Sequence, residues 1–467
     1  MSATTHERRA TWVPSWQRKE PDPAGARTEE THPLPPGPRL PSAVQTLLLW
    51  RYTPKFLRAC EARYGPTFTV RDAAMGTLVY LTDPDDLKTV FTGDAATYHA
   101  GEGNSILAPV MGERSVLILD EDEHLEQRKR MLPAFHGESV RRYGETMASL
   151  SEEEIDRWPA GEPFPVHPRM QALTLEVILR VVIGVDAEER RRQLRELLPT
   201  VVDLNLTLAL MWLRPQLGRF GPWRRYHRTL AAANELLYAE IRERRADSGL
   251  DARGDVLSLL IRAADEAGKP ATDEELRDQL VTLLLAGHET TATALAWCLE
   301  RLARHPAVLA RLVRELDAGD DAYLEAVVKE TLRVRPVIYD VVRKLKAPVE
   351  LSWGRLPAGV SVLPSIGLVQ RDPARHADPN AFRPERFLEG EEELPYSWIP
   401  FGGGRRRCIG AAFATFEMKT VLRTMLSRLE LETTSERGER VRLKHITLTP
   451  ARGGRVSFRP RAPVSEP

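Results

Sequence analysis

Apolar residues recur at three- and four-residue spacing through Thr53 to Arg63, Asp85 to Phe91, Glu121 to Phe135, Gly144 to Trp158, Met170 to Ile183 and Arg224 to Arg245. That is the period of helices with one face turned to a core. Alternating patterns are fewer and shorter, at Thr67 to Val70, Leu78 to Leu81, Val349 to Leu351, Val360 to Pro364, Arg440 to Leu443 and Arg455 to Phe458; these predict strands. The expected fold is mainly α with small β-sheets, an α+β architecture. No Pro/Gly/Ser linker cuts the chain after residue 41, so one large domain over 34–467 is expected, although length alone would allow about three.

One predicted helix is exceptionally long. Thr272-Asp273-Glu274-Glu275 forms a capping box that starts it, and His305-Pro306 stops it. About thirty residues at 1.5 Å each span roughly 45 Å, the width of a large domain. In its middle, Ala286-Gly287-His288-Glu289-Thr290-Thr291 interrupts an apolar run with a glycine, an acid and two hydroxyls. Glycine inside a helix costs about 0.5–1 kcal/mol against alanine, and a buried Glu needs a partner. The segment reads either as a polar helix face with a satisfied carboxylate or as a working site.

The ends and the composition narrow the field. Residues 1–33 are polar, carry Arg8, Arg9, Glu20, Asp22, Glu29 and Glu30, and lack the apolar stretch of a signal peptide; a disordered tail is expected there. Lys and Arg number 66 and so do Asp and Glu, which argues against nucleic acid as a partner. The longest apolar runs, Thr46 to Trp50 and Leu280 to Ala286, fall far short of the roughly 18 residues of a membrane span. Three scattered cysteines, Cys60, Cys298 and Cys408, cannot build a disulfide framework, a four-cysteine zinc site or an iron–sulfur cluster, and they suit a reducing cytoplasm.

Cysteine chemistry must therefore run through one thiolate. Cys408 ends Phe401-Gly402-Gly403-Gly404-Arg405-Arg406-Arg407-Cys408-Ile409-Gly410, and the helix formers Ala411 to Leu422 follow. A helix start, loop N–H groups and guanidinium neighbours all favour thiolate over thiol, which predicts a nucleophile or a metal ligand. The competing reading is a phosphate loop with an incidental cysteine, but no GxxxxGK[ST] pattern is present. Glu330 and Arg333 stand at i and i+3, near enough to pair; alone they would read as a surface salt bridge. Arg386 lies in Pro384-Glu385-Arg386-Phe387, and His124 and Arg128 sit one turn apart.

In this order and spacing the motifs closely resemble the cytochrome P-450 family of haem-thiolate monooxygenases, soluble bacterial type, over residues 34–467. Phe401 to Gly410 matches the family's FxxGxRxCxG loop at every fixed position. The resemblance implies a domain enclosing haem b (iron protoporphyrin IX), with Cys408 as the metal ligand. It implies that Phe401 shields the thiolate, while Gly404 and Gly410 let backbone approach sulfur and porphyrin. His124, Arg128, Arg343 and Arg406 would hold the propionates. Glu330, Arg333 and Arg386 would brace the ligand loop as a buried charge network. Ala286 and Gly287 would face the oxygen side, with Gly287 bending the helix, and Glu289 and Thr290 would deliver the protons that oxygen activation consumes. Thr291 is expected to serve as a supporting partner. His288-Glu289 begins like a zinc-protease HExxH, but Ala292 replaces the second histidine, so His288 keeps no assigned role.

The activity implied is insertion of one atom of O2 into a hydrophobic small molecule, such as a fatty acid, terpenoid, steroid or polyketide. The ligand loop lies too close to the C-terminus for a fused electron-transfer domain, so a ferredoxin or flavodoxin-type donor with its NAD(P)H reductase is the expected partner. Arg405, Arg407, Lys129 and Arg130 would form its docking face or else a solvated surface. In the family, residues near Thr92 to Leu119, Leu198 to His227 and Val337 to Arg343 line the pocket; Leu204 to Leu213 and Trp223 suit an apolar lid or plain core packing. The alternatives are a peroxide-driven peroxygenase, and a non-catalytic haem sensor or carrier, in which a Glu289–Thr290 pair would be unnecessary.

Overall fold

The computed structural model describes residues 33–201, 221–390 and 394–461. The predicted tail up to residue 32, the apolar stretch Leu204 to Leu213 and the side chain of Trp223 lie outside the described residues. Twelve helices longer than two turns are described: α1 Ser42–Tyr64, α2 Pro84–Thr92, α3 Glu121–Met131, α4 Gly144–Ile155, α5 Val166–Val177, α6 Glu188–Val201, α7 Gly221–Ala246, α8 Val256–Glu266, α9 Asp273–Ala303, α10 Pro306–Asp317, α11 Ala322–Val334 and α12 Ala411–Arg428.

The axis of the fold is α9. Its capping box is complete: Glu275 N donates to Thr272 Oγ1 at 3.1 Å, and Thr272 N donates to the Glu275 carboxylate at 2.7 Å. At 31 residues it runs about 46 Å. It is buried on nearly all sides, which is why it lacks a clean amphipathic stripe. The central apolar core joins Leu280, Leu284, Leu295, Leu299 and Leu302 of α9 to Leu173 and Val177 of α5 and to Leu422 and Met425 of α12. The helix stays unbroken through Gly287, where a bend was expected. A Cβ at Gly287 would come 3.1 Å from Ile178 Cδ1, so the missing side chain serves close packing there.

The largest sheet has five strands in the order β1-β2-β5-β4-β3, with β1 Thr67–Asp72, β2 Gly76–Leu81, β3 Tyr98–His99, β4 Arg343–Leu345 and β5 Ser361–Pro364. Antiparallel pairing of Tyr98 with Leu345 and His99 with Lys344 fixes Arg343 beside the segment that leads into α3. A separate hairpin joins β6 Val441–Lys444 to β7 Thr447–Pro450.

Several ends differ from the periodic pattern. Helix α1 starts at Ser42, well before Thr53, and is kinked at Tyr52 (φ −137°, ψ 29°) ahead of Pro54. Its first half exposes Val44, Leu47 and Trp50, so no core-facing stripe announced it. Helix α3 tightens into a 3-10 turn at Leu132–Phe135, because Pro133 has no N–H for the ladder. Helix α5 widens into a π-turn at Ile178–Ile183, closed by Gly184 at φ 73°.

Candidate active site

Cys408 N donates to Phe401 O at 2.9 Å and closes the loop before α12. Gly404 has φ +62°, and a Cβ there would stand 1.7 Å from Phe91 O. Only glycine fits where this loop crosses the end of α2; the close approach is to that carbonyl. At Gly410 a Cβ would meet nothing within 4 Å, so the space beside the sulfur stays open. The Phe401 ring is half-buried, edge-on to Trp398 at 5.9 Å.

The Cys408 side chain is exposed, yet the surrounding protein desolvates it. Exposure together with desolvation marks the wall of an internal space. Burial raises the thiol above its ordinary value, while the Gly410 N–H, Arg128 and Arg407 pull it down. The expected donors and cations are present, but burial outweighs them, so the free side chain favours thiol. The neighbours act in the direction the sequence predicts, and the desolvation of the charged form works against them. A bound metal ion would displace the proton outright.

Beside the loop stands a cation cluster drawn from three segments. His124 on α3 is buried and pushed down to about 3, by burial first and then by Arg406, Arg128 and Arg343. Burial is also the largest cause that holds Arg343 and Arg406 down at about 10. Arg406 Nη2 lies 2.6 Å from Asp120 Oδ1, whose carboxylate also accepts from the Gly101 and Glu102 N–H groups at 2.8 Å. Arg343 donates to its neighbour Val342 O at 2.8 Å. Among the described residues, neither Arg128 nor Arg343 has a carboxylate at ion-pair distance. His124, Arg343 and Arg406 line one cleft with Phe91 and Tyr98. One carboxylate against three guanidinium groups leaves an excess of positive charge that a dianion would relieve.

A second group is closed by hydrogen bonds. Glu330, Arg333 and Arg386 are fully buried. Arg333 donates to the Glu330 carboxylate through Nε at 2.7 Å and Nη2 at 2.8 Å, and to Gln370 O, Pro379 O and Ala381 O at 2.8–2.9 Å. Arg386 Nε adds a contact at 3.2 Å, and Arg383 N donates to Glu330 Oε1 at 2.8 Å.

On α9 the residues in question point different ways. Ala286 is exposed in the middle of an otherwise buried helix, and Gly287 is half-buried. The Thr290 hydroxyl donates to Ala286 O at 2.5 Å. Glu289 Oε2 accepts from Gln171 Nε2; Oε1 has no hydrogen bond and lies 3.6 Å from both His167 Nε2 and Lys444 Nζ. His288 turns to α5, where Thr174 Oγ1 lies 3.0 Å from its Nδ1; burial first and Lys444 next push it down to about 4. Thr291 bonds the carboxyl of Glu417 on α12.

Asp120, His167, Gln171, Glu417 and Lys444 had no part in the sequence reading. They reach their partners across more than a hundred residues, and no spacing rule announces such contacts. Among the described residues no group of three or more His, Cys, Asp and Glu side chains could hold a metal ion, and no helix is long and apolar enough to cross a membrane. A single thiol on an internal wall beside unbalanced cations fits an iron that arrives inside its own dianionic macrocycle.

Comparison with known proteins points the same way. Residues 33–458 match the family model described as Cytochrome P450. The protein named cytochrome P450 135B1 of Mycobacterium tuberculosis is 49% identical over 438 residues, covering 92% of this chain and 93% of that protein. Cytochrome P450 135A1 of the same species is 42% identical over 430 residues, 92% of this chain and 96% of its own. Among solved structures, retinoic acid-bound cyanobacterial CYP120A1 superposes with a TM-score of 0.79 at 23% identity, over 92% of this chain and all of that one. The haem domain of cytochrome P450DA gives 0.79 at 25% identity, over 92% of this chain and 98% of that one.

Proposed function

The chain belongs to the cytochrome P450 family, and we propose that it oxygenates a hydrophobic small molecule of the fatty acid, terpenoid, steroid or polyketide kind. It is a haem-dependent monooxygenase; the substrate class, the electron donor and the residue roles below are our reading. The observation that carries them is the wall-lining thiol of Cys408 beside Arg128, Arg343 and Arg406, three guanidinium groups with the one carboxylate of Asp120, and the neutral donor His124.

Haem, when bound, supplies the oxygen chemistry. In our reading Cys408 Sγ is its one protein ligand, and the Gly410 N–H limits how much charge the sulfur donates. The three guanidinium groups and the neutral His124 imidazole would take the two propionates. Ala286, exposed in the middle of α9, would leave room on the oxygen side, with Gly287 beside it packed close to Ile178. Glu289 gathers protons from the Lys444 and His167 side, and the Thr290 hydroxyl passes them on by turning from Ala286 O toward the cavity. Arg405, Arg407 and Lys129 are exposed and, among the described residues, have no carboxylate at ion-pair distance; they suit an acidic ferredoxin or flavodoxin served by an NAD(P)H reductase. Unpaired cysteines favour a cytoplasmic setting, and one body over 34–467 accommodates every motif.

Reduction of the holoprotein under carbon monoxide tests the ligand role. A red-shifted Soret band is expected, and Cys408→Ala should abolish it. Wild-type protein that binds no haem, or a variant that keeps the band, sinks the reading.

A further inference from the structure

A second excess of positive charge lies away from Cys408, where α11 ends. Arg335 caps that helix, and Arg371 stands just past the short helix Ile366–Val369. Both side chains come to one backbone oxygen: Val334 O accepts from Arg335 Nη1 at 3.1 Å and from Arg371 Nη2 at 2.6 Å. Among the described residues neither guanidinium has a carboxylate at ion-pair distance. Arg371 Nη1 turns instead to the neutral Asn380 Oδ1 at 2.6 Å.

The carbonyl groups that end a helix attract cations, and this accounts for part of the arrangement. Their combined effect is about half an elementary charge, against two full positive charges. Glu300 on α9 also acts on Arg335, but Arg301 already holds its carboxylate through two N–H groups at 2.6 and 2.7 Å, with Arg304 at 3.3 Å. Burial first, and then the charges of Arg301 and Arg371, push Arg335 down to about 9. Burial first, and then Arg58, push Arg371 down to about 10. Repulsion among the cations therefore exceeds the attraction of Glu300.

Arg335 also carries a donor edge that the protein does not use. Its guanidinium carbon lies 4.9 Å from the centroid of the Trp297 ring, so the indole covers one face. Nη1 is committed to Val334 O, while Nε is buried and donates to no described residue. Two residues earlier, Arg333 grips Glu330 through the corresponding edge, Nε at 2.7 Å and Nη2 at 2.8 Å. Both Arg335 and Arg371 are half-buried, a setting in which their charge is screened less than in open water.

We propose that Arg335 and Arg371 together bind a tetrahedral dianion, phosphate or a phosphate monoester, between the end of α11 and the segment after Val369. Its charge matches the two guanidinium groups, and its oxygens can meet the Nε–Nη2 edge of Arg335 and the second arginine at once. A simple carboxylate brings one charge and two oxygens, enough for one arginine only. The ion would also brace the fold. Arg333 donates to Gln370 O at 2.8 Å, so an ion held by Arg335 and Arg371 ties a second time the two segments that Arg333 joins.

The test is isothermal titration of holoprotein with inorganic phosphate at about pH 8, where phosphate is mostly dianionic, with ionic strength fixed by sodium chloride. Wild-type protein should bind one phosphate with a dissociation constant of about 1 mM or below, and acetate at least about tenfold more weakly. Arg335→Gln and Arg371→Gln should each weaken phosphate about tenfold. Arg335→Lys, which keeps the charge but loses the two-pronged edge, should weaken it less. Saturating phosphate should raise the melting temperature of wild type by about 2 °C and leave that of Arg335→Gln unmoved. Glycerol phosphate identifies the source: affinity at or above that of inorganic phosphate points to a phosphate-bearing molecule, lower affinity to the free ion, and both agree with the proposal. Absence of phosphate binding in wild type, acetate bound as tightly as phosphate, or unchanged phosphate affinity in both glutamine variants overturns it. Urea unfolding without phosphate is read first on every variant. Should Arg335→Gln fail to fold, Arg371→Gln and Arg335→Lys decide, and wild-type phosphate affinity in both overturns the proposal.

Discussion

Two glutamates mark the difference between the back of the cysteine loop and the middle of the long helix. Glu330 is fully buried, and both its oxygens accept from charged or backbone donors whose remaining N–H groups are themselves bonded to carbonyls. Glu289 keeps 13% of its side chain exposed, has one oxygen without a hydrogen bond and two cationic or donor groups at 3.6 Å. The first arrangement has no slack: both oxygens are bonded, so the ion pair holds three segments in one geometry. The second has slack, which the proton relay proposed for Glu289 would need. Burying a charge is expensive in both places, but only the first site compensates it fully.

Breaking the closed site should have the largest effect. Glu330→Gln takes the buried carboxylate charge away from Arg333 and Arg386, so the apoprotein should lose about 3–5 kcal/mol in urea unfolding or fail to retain haem. A loss within about 0.5 kcal/mol would erase the contrast drawn above. The open site should respond differently. Thr290→Ala should leave the unfolding free energy within about 0.5 kcal/mol of wild type, because its hydroxyl bonds only its own helix. Product formed per electron should nonetheless fall about tenfold or more, with hydrogen peroxide released instead. Unchanged coupling removes Thr290 from proton delivery.

How far the sequence discloses each site follows from how local its contacts are. The capping box at Thr272 and Glu275 and the pair Glu330–Arg333 span three residues, and the cysteine loop closes within eight; helix periodicity or contiguous motif suffices for them. Gln171 meets Glu289 across 118 residues and Asp120 meets Arg406 across 286. Such pairs depend on how helices cross, which no hydrophobic period encodes. The thiol of Cys408 shows the complementary failure: its neighbours were legible, but its desolvation is a property of the assembled body.

A third carboxyl lies between the two extremes and sharpens the comparison through the pH dependence of stability. Glu417 on α12 is buried with Thr291 as its bonded neighbour and with Oε1 unsatisfied, and burial pushes it up to about 8. Unlike Glu330 it has no cation; unlike Glu289 it has no access to solvent, so it stays protonated in the folded state at neutral pH. In the unfolded chain it titrates at its ordinary value of 4.5. Below pH 4.5 both states hold the proton and its contribution to stability is complete. Between about pH 4.5 and 8 the unfolded chain sheds the proton while the folded one keeps it, so stability falls as pH rises, by at most about 1.4 kcal/mol per unit. Glu417→Gln removes that dependence. Urea unfolding of both proteins at about pH 5, 6.5 and 8 should show the variant gaining on wild type at each step. His167 and His288, buried neutral and pushed down to about 4, destabilise both proteins alike as pH falls below about 6.5 and cancel in the difference. Parallel curves would mean that Glu417 is ionised and compensated like Glu330, and that burial without a cation is not enough to keep a carboxyl neutral between α9 and α12.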